Sequence, residues 1–204
     1  MAKSVNMASD NIVSLTISSF NCRGYNAVKR SYISGLCKES DFVFLQEHWL
    51  ADSQLNVLAS IDDKFTHYGI SGFDSSRILS GRPFGGCAIL WRSSILANII
   101  PVAVDSKRIC AVHVCSANWK LLLVNVYLPH EDGDDSTRTD EFVQLLSLIE
   151  DLVDSHADSH IVIGGDFNVD FNRNWIHTEL LNSFCDNVCL FPILRHVKCN
   201  IDYS

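Results

Sequence analysis

The stretch IVIGGDFNVDF, Ile161–Phe171, decides how this sequence is read. A run of β-branched apolar residues passes into two glycines, and Asp166, Asn168 and Asp170 follow at once. Continuous apolar runs of this length, closed by turn residues, fit strands covered on both faces better than half-exposed ones. Acidic groups at the end of such a strand stand at the rim of a rigid sheet. There a carboxylate is tolerated because it can meet water, a partner or a cation.

The same construction recurs three times. SLTISSFN ends at Asn21, DFVFLQE at Glu47 and KLLLVNVY at Tyr127, matching HIVIGGDFN with its Asp166 and Asn168. Further strands are expected at Thr66–Ile70, Gly86–Trp91, Ile99–Val104 and Ile109–Cys115. Helices are expected between them. Over Asp140–Asp154, Phe142, Leu145, Leu146, Ile149, Leu152 and Val153 recur at three- and four-residue intervals, as an amphipathic helix requires. Thr137, with Asp140 three positions on, reads as its start. Ala27–Lys38 and Trp175–Cys185 are the other helix candidates. Many strands with helices confined to the connections predict an α/β fold of two mixed β-sheets packed face to face, with helices outside.

With 204 residues and 47% hydrophobic content, the chain can bury one substantial core. We expect a tail over residues 1–12 and one domain over 13–204. No apolar run reaches the ~18 residues of a membrane span, and the N-terminus lacks the apolar core of a secretory signal. A soluble intracellular protein, nuclear or cytoplasmic, is expected. The eight cysteines include no CxxC pair, so Cys110, Cys115, Cys185, Cys189 and Cys199 read as reduced thiols rather than as zinc ligands. A net charge of -8 disfavours nonspecific binding of polyanions over the whole surface. A nucleic-acid substrate would require a local basic patch or metal ions. The loop around Arg77 and Arg82 reads equally as a connector or a substrate contact. The acidic run from Glu131 to Asp140 reads as a solvated loop.

Any one polar strand end usually caps a turn; four together suggest chemistry. Glu47 could hold magnesium, which takes one or two carboxylates and keeps several waters. Asn21 could add an amide oxygen or orient Glu47. Asp166 is placed to align and deprotonate a water, Asn168 to hold a nonbridging phosphate oxygen, and Tyr127 to donate to an oxyanion or, with a lowered pKa, to act as a base. Asp170 reads as a turn residue. The set describes phosphate ester hydrolysis.

FNCRG, LQEHW, GRPFGGCAILW, VNVYLPHE and GGDFNVDF stand in the order found in the endonuclease/exonuclease/phosphatase family. The chain most resembles the apurinic-endonuclease-like domain that precedes the reverse transcriptase in non-LTR retrotransposons. The resemblance implies a four-layered α/β sandwich, Mg²⁺ or Mn²⁺ as cofactor, DNA as partner, and a reverse transcriptase domain in the same full-length chain. It also implies Asn21 and Glu47 at the metal, Tyr127 supporting the transition state, and Asp166 with Asn168 as the water-activating and phosphate-binding pair. Two departures stand out. His130 occupies a position where relatives carry asparagine, and the serine-aspartate-histidine motif that closes the family pattern is not found up to Ser204. Asp202 reads as part of an earlier segment, and neither His177 nor His196 replaces the missing histidine. A truncated domain without its last strands, weakly active or inactive, is therefore expected. Hydrolysis of a non-nucleic phosphate ester and a catalytically dead binding domain are the alternatives.

Overall fold

In β2, Phe42–Gln46, every residue is buried, because alternate side chains on a strand serve opposite faces. Phe42 and Phe44 pack with Cys110, Val112, Leu121 and Leu123 of a second sheet. Val43 and Leu45 pack the other way, with Ile33 and Cys37 of a helix. An unbroken apolar run is the consequence of two covered faces.

The computed structural model describes residues 14–73, 84–131 and 136–192. Its elements run β1 (Ile17–Asn21), α1 (Ala27–Glu39), β2, a 3₁₀ segment (Asp52–Ser60), β3 (Phe65–Ile70), β4 (Cys87–Arg92), β5 (Asn98–Val102), β6 (Ile109–Cys115), β7 (Lys120–Tyr127), α2 (Ser136–Ser155), β8 (His160–Asp166) and α3 (Ile176–Asn187). The first sheet is ordered β1-β2-β4-β3 and the second β5-β6-β7-β8. Both are mixed: β1–β2 and β7–β8 are parallel and the remaining pairs antiparallel. A parallel pair needs a crossover, and α1 and α2 supply it. Each parallel pair also brings two strand C-termini to the same end of its sheet. Asn21 stands beside Gln46 there, and Tyr127 beside Asp166.

Three apolar clusters define the layers. One lies between the sheets. Another lies between the first sheet, α1 and the 3₁₀ segment. The third joins Ile109, Ala111, Leu122, Val124 and Val126 to Phe142, Leu145, Leu146 and Ile149 of α2 and Leu181 and Phe184 of α3. The expected four-layered α/β sandwich is the observed architecture. Pro101 sits in β5, an edge strand, where a missing N–H is tolerated.

Some boundaries differ from expectation. Helix α2 already includes Ser136, so Thr137 is its second residue and not its start. β5 begins at Asn98 and ends at Val102, short of Val104. The 3₁₀ segment was not foreseen: Leu58 is its one fully buried side chain, too few to give a periodic signal. The 1–12 tail, Arg77, Arg82, His196, Cys199 and Asp202 lie outside the described residues. Among the described residues no helix is long and apolar enough to cross a membrane.

Candidate active site

Strand alternation carries the space between the sheets outward to a polar rim. Ile17, Phe44, Leu123 and Val162 all belong to the inter-sheet cluster. Counting on in steps of two along each strand leads to Asn21, Gln46, Tyr127 and Asp166, which therefore face one another at the strand ends. Glu47 follows Gln46 directly and takes φ 51°, and Asn168 takes φ 51°. Left-handed backbone is unfavourable for a residue such as glutamate and more tolerable for asparagine. Strain of this kind collects at functional positions.

The side chains meet through Asn21. Its Nδ2 donates to Glu47 Oε1 and to Asp166 Oδ2, each at 2.7 Å. Its Oδ1 accepts the backbone N–H of Arg23 at 3.0 Å. Both amide hydrogens are thus engaged in holding the two carboxylates, while the amide oxygen, with one bond accepted, keeps a second lone pair. Asp166 Oδ1 accepts from Asn168 N at 3.2 Å, and Asn168 Nδ2 donates one hydrogen to Leu128 O at 2.7 Å. Burial, reinforced by the Glu47 carboxylate to which its hydroxyl bonds, raises the pKa of Tyr127. Tyr127 is therefore a proton donor near neutral pH. The alternative of a lowered pKa and a basic role is not what this environment produces. The Arg108 guanidinium lies 5.2 Å from the Tyr127 ring centroid and is held by Glu141 at 2.6 Å. A cavity of about 330 Å³ opens alongside, lined among others by Phe84, Lys107, Arg108, Tyr127 and Gln144.

The acids at this rim are carboxylates from different sheets. Among the described residues no group of three or more His, Cys, Asp or Glu converges as a metal cage. Asp170 is a turn residue: its Oδ1 accepts from Asn172 N at 2.9 Å and its Oδ2 pairs with Arg173. His177 is buried and stacked on Phe142 with centroids 4.1 Å apart, a core position. His130 is exposed and in contact with Arg138. Of the acidic run, residues 132–135 lie outside the described residues, and Glu131 is not simply solvated: its carboxylate accepts from the backbone N–H groups of Ile176 and His177 at 3.2 and 3.0 Å. It caps α3, where negative charge meets unsatisfied N–H groups.

His48, next to Glu47, was not singled out from the sequence. It is fully buried; Leu50 N donates to Nδ1 at 3.0 Å, so Nε2 carries the hydrogen and donates to Ile70 O at 3.1 Å. Burial pushes its pKa down to about 4. The unfolded chain therefore takes up a proton at a pH where the folded chain does not. Stability falls as pH drops through the window from about 6.5 to about 4, by roughly 3 kcal/mol in total. Urea unfolding across that window, compared with His48→Gln, measures this. The variant, whose amide can make both bonds without titrating, should show a smaller decline; equal declines would refute the assignment.

The Endonuclease/Exonuclease/phosphatase family model matches residues 18–195. No curated protein matches the sequence at a meaningful level. Solved structures do share the fold. The 3' phosphatase NExo from Neisseria, bound to a product DNA hairpin, is 16% identical with a TM-score of 0.61, over 85% of this chain and 71% of that one. The endonuclease domain of TRAS1, a telomere-specific non-LTR retrotransposon, is 12% identical with a TM-score of 0.62, over 85% and 72%. The AP endonuclease LMAP from Leishmania major is 13% identical with a TM-score of 0.64, over 92% and 72%.

Proposed function

This chain belongs to the endonuclease/exonuclease/phosphatase family, and we propose that it is a DNA-nicking endonuclease domain of retrotransposon type that hydrolyses phosphodiesters with a divalent metal ion. The observation that carries this reading is the Asn21 amide, which joins a carboxylate from each sheet at 2.7 Å. Two carboxylates that share one amide group as donor repel each other, and the arrangement becomes more favourable when a cation or a proton in transfer shares the site.

The donor set fits a hard ion. Glu47 would hold magnesium or manganese, with Asn21 fixing the carboxylate, and the remaining positions would go to water and substrate phosphate. When bound, the ion draws charge from a phosphoryl oxygen. The chain's own groups do the rest. Asp166, held on one oxygen by Asn21 and on the other by Asn168 N, accepts the proton of the attacking water. Asn168 turns its second amide hydrogen to a nonbridging oxygen. Tyr127, kept protonated by its surroundings, donates to oxygen as charge develops there. The cavity beside Tyr127, with Phe84 and Lys107 on its walls, suits a nucleotide next to the scissile phosphate. Lys107, on the cavity wall, adds positive charge locally against the net charge of -8. In a complete element, the domain spanning residues 13–204 would work beside a reverse transcriptase domain of the same chain, in the nucleus or the cytoplasm.

Supercoiled plasmid tests the proposal. Relaxed circles should appear, slowly, with magnesium or manganese and not with a chelator, and DNA binding should weaken as salt rises. Turnover of inositol or sphingomyelin phosphoesters without plasmid nicking would overturn DNA as the substrate.

A further inference from the structure

Below the rim lies a polar bridge that the mechanism has not used. Gln46 and Asn125 are 1% and 0% exposed, yet both carry amides and both face the inter-sheet layer. Gln46 Nε2 donates to Asn125 Oδ1 at 2.6 Å and to Ser19 Oγ at 3.1 Å. Asn125 Nδ2 donates to Leu45 O and Ala88 O, both at 2.9 Å. A side chain of the second sheet thus binds two neighbouring strands of the first.

We propose that Gln46 and Asn125 are positioning residues that set the separation of Glu47, Tyr127 and Asp166. The proposal rests on Glu47 as the metal carboxylate. Three of the side chains in this bridge lie next to site residues on their strands. Gln46 precedes Glu47, Ser19 lies two residues before Asn21 on the same face, and Asn125 lies two before Tyr127. A Cβ on Gly165, the residue before Asp166, would stand 2.9 Å from Asn125 Oδ1. Apolar side chains between sheets hold two surfaces together with little directional preference. Three amide bonds that cross between the sheets at set distances and angles fix their register. The reacting groups come from both sheets, so a slip of one sheet would separate Glu47 from Asp166. A misplacement of about 1 Å can cost about 100-fold in rate.

The test uses the 204-residue chain and two variants, Gln46→Met alone and Gln46→Met with Asn125→Leu. Replacing both amides with apolar groups of similar shape removes the bonds between the side chains without leaving either amide facing an apolar partner. Gln46→Met leaves both bonds from Asn125 to the first sheet intact and keeps the question open to measurement if the double variant does not fold. Thermal unfolding, Mn²⁺ binding and nicking are measured together. In variants that fold, Mn²⁺ affinity and kcat should each fall about tenfold or more, with KM for plasmid unchanged. Folded variants with unaltered Mn²⁺ affinity and kcat would show that the bridge serves stability alone and overturn the proposal. Glu47→Gln is the control. If it leaves Mn²⁺ binding intact, Glu47 is not the metal carboxylate and the positioning proposal fails with that reading. If it abolishes binding while the amide variants keep theirs, only the positioning proposal fails.

Discussion

Asp166→Asn should lower the nicking rate by about 10²–10⁴-fold, the range spanned by a general base, while the fold and DNA affinity are retained. The substitution is close to isosteric. Its amide oxygen can still accept from Asn21 Nδ2, which Asp166 Oδ2 does at 2.7 Å. The other position becomes an NH₂ group facing Asn168 N, where Asp166 Oδ1 now accepts at 3.2 Å. Two donors then oppose each other, and the loop to Asn168 loosens. The group at the reacting water can no longer take its proton. Removing a negative charge from a site meant for phosphate should leave binding equal or slightly tighter, so the loss should appear in kcat and not in KM. This separates a reacting group from one that only binds substrate. A rate within tenfold of the unsubstituted chain would remove Asp166 from the chemistry and leave it the Asn21 partner only.

The layers were legible because burial on both faces leaves a direct mark on composition. Phe42–Gln46 could not be the half-exposed strand of an open sheet, since no position in it was free to be charged. The rim residues were legible for a related reason: a polar group at the end of such a run must face water or a partner. What stayed hidden was which face each one served. Continuous apolar runs erase the period-two signal, so nothing in the sequence set Gln46 and Asn125 apart as residues of the inter-sheet face. Counting back in twos from Asn21, Tyr127 and Asp166 would have placed Ser19, Asn125 and Gly164 on the face those residues share. The contacts themselves join positions 26, 79 and 145 residues apart, and no local pattern reports them. Glu131 shows the same limit. Its neighbours in sequence are acidic and polar, while its partner is a helix end 45 residues away.

Gly165→Ala should unfold the chain more readily than any rim substitution, by about 4 kcal/mol when strained backbone and overpacking are combined. Gly165 has φ +130°, a conformation that L side chains rarely adopt. A Cβ there would stand 2.1 Å from Val126 O and 2.8 Å from Val126 N. Both are backbone atoms of β7 at the register partner of Gly165, so no side-chain rotation relieves the contact. Relief requires β8 to draw away from β7, and that movement displaces Asp166 from Tyr127, its neighbour across the ladder. It also disturbs the Asn125 amide, whose oxygen lies 2.9 Å from the same Cβ position. Gly165 is thus required by the close approach of the protein's own backbone. Gly164 differs: its Cβ would meet Phe44 ring atoms at 3.1 Å, a side-chain contact that can yield. Thermal unfolding should show a drop in Tm of roughly 8–16 °C for Gly165→Ala and a clearly smaller one for Gly164→Ala. Equal drops would mean that the close approach of β8 to β7 does not hold Asp166 in place.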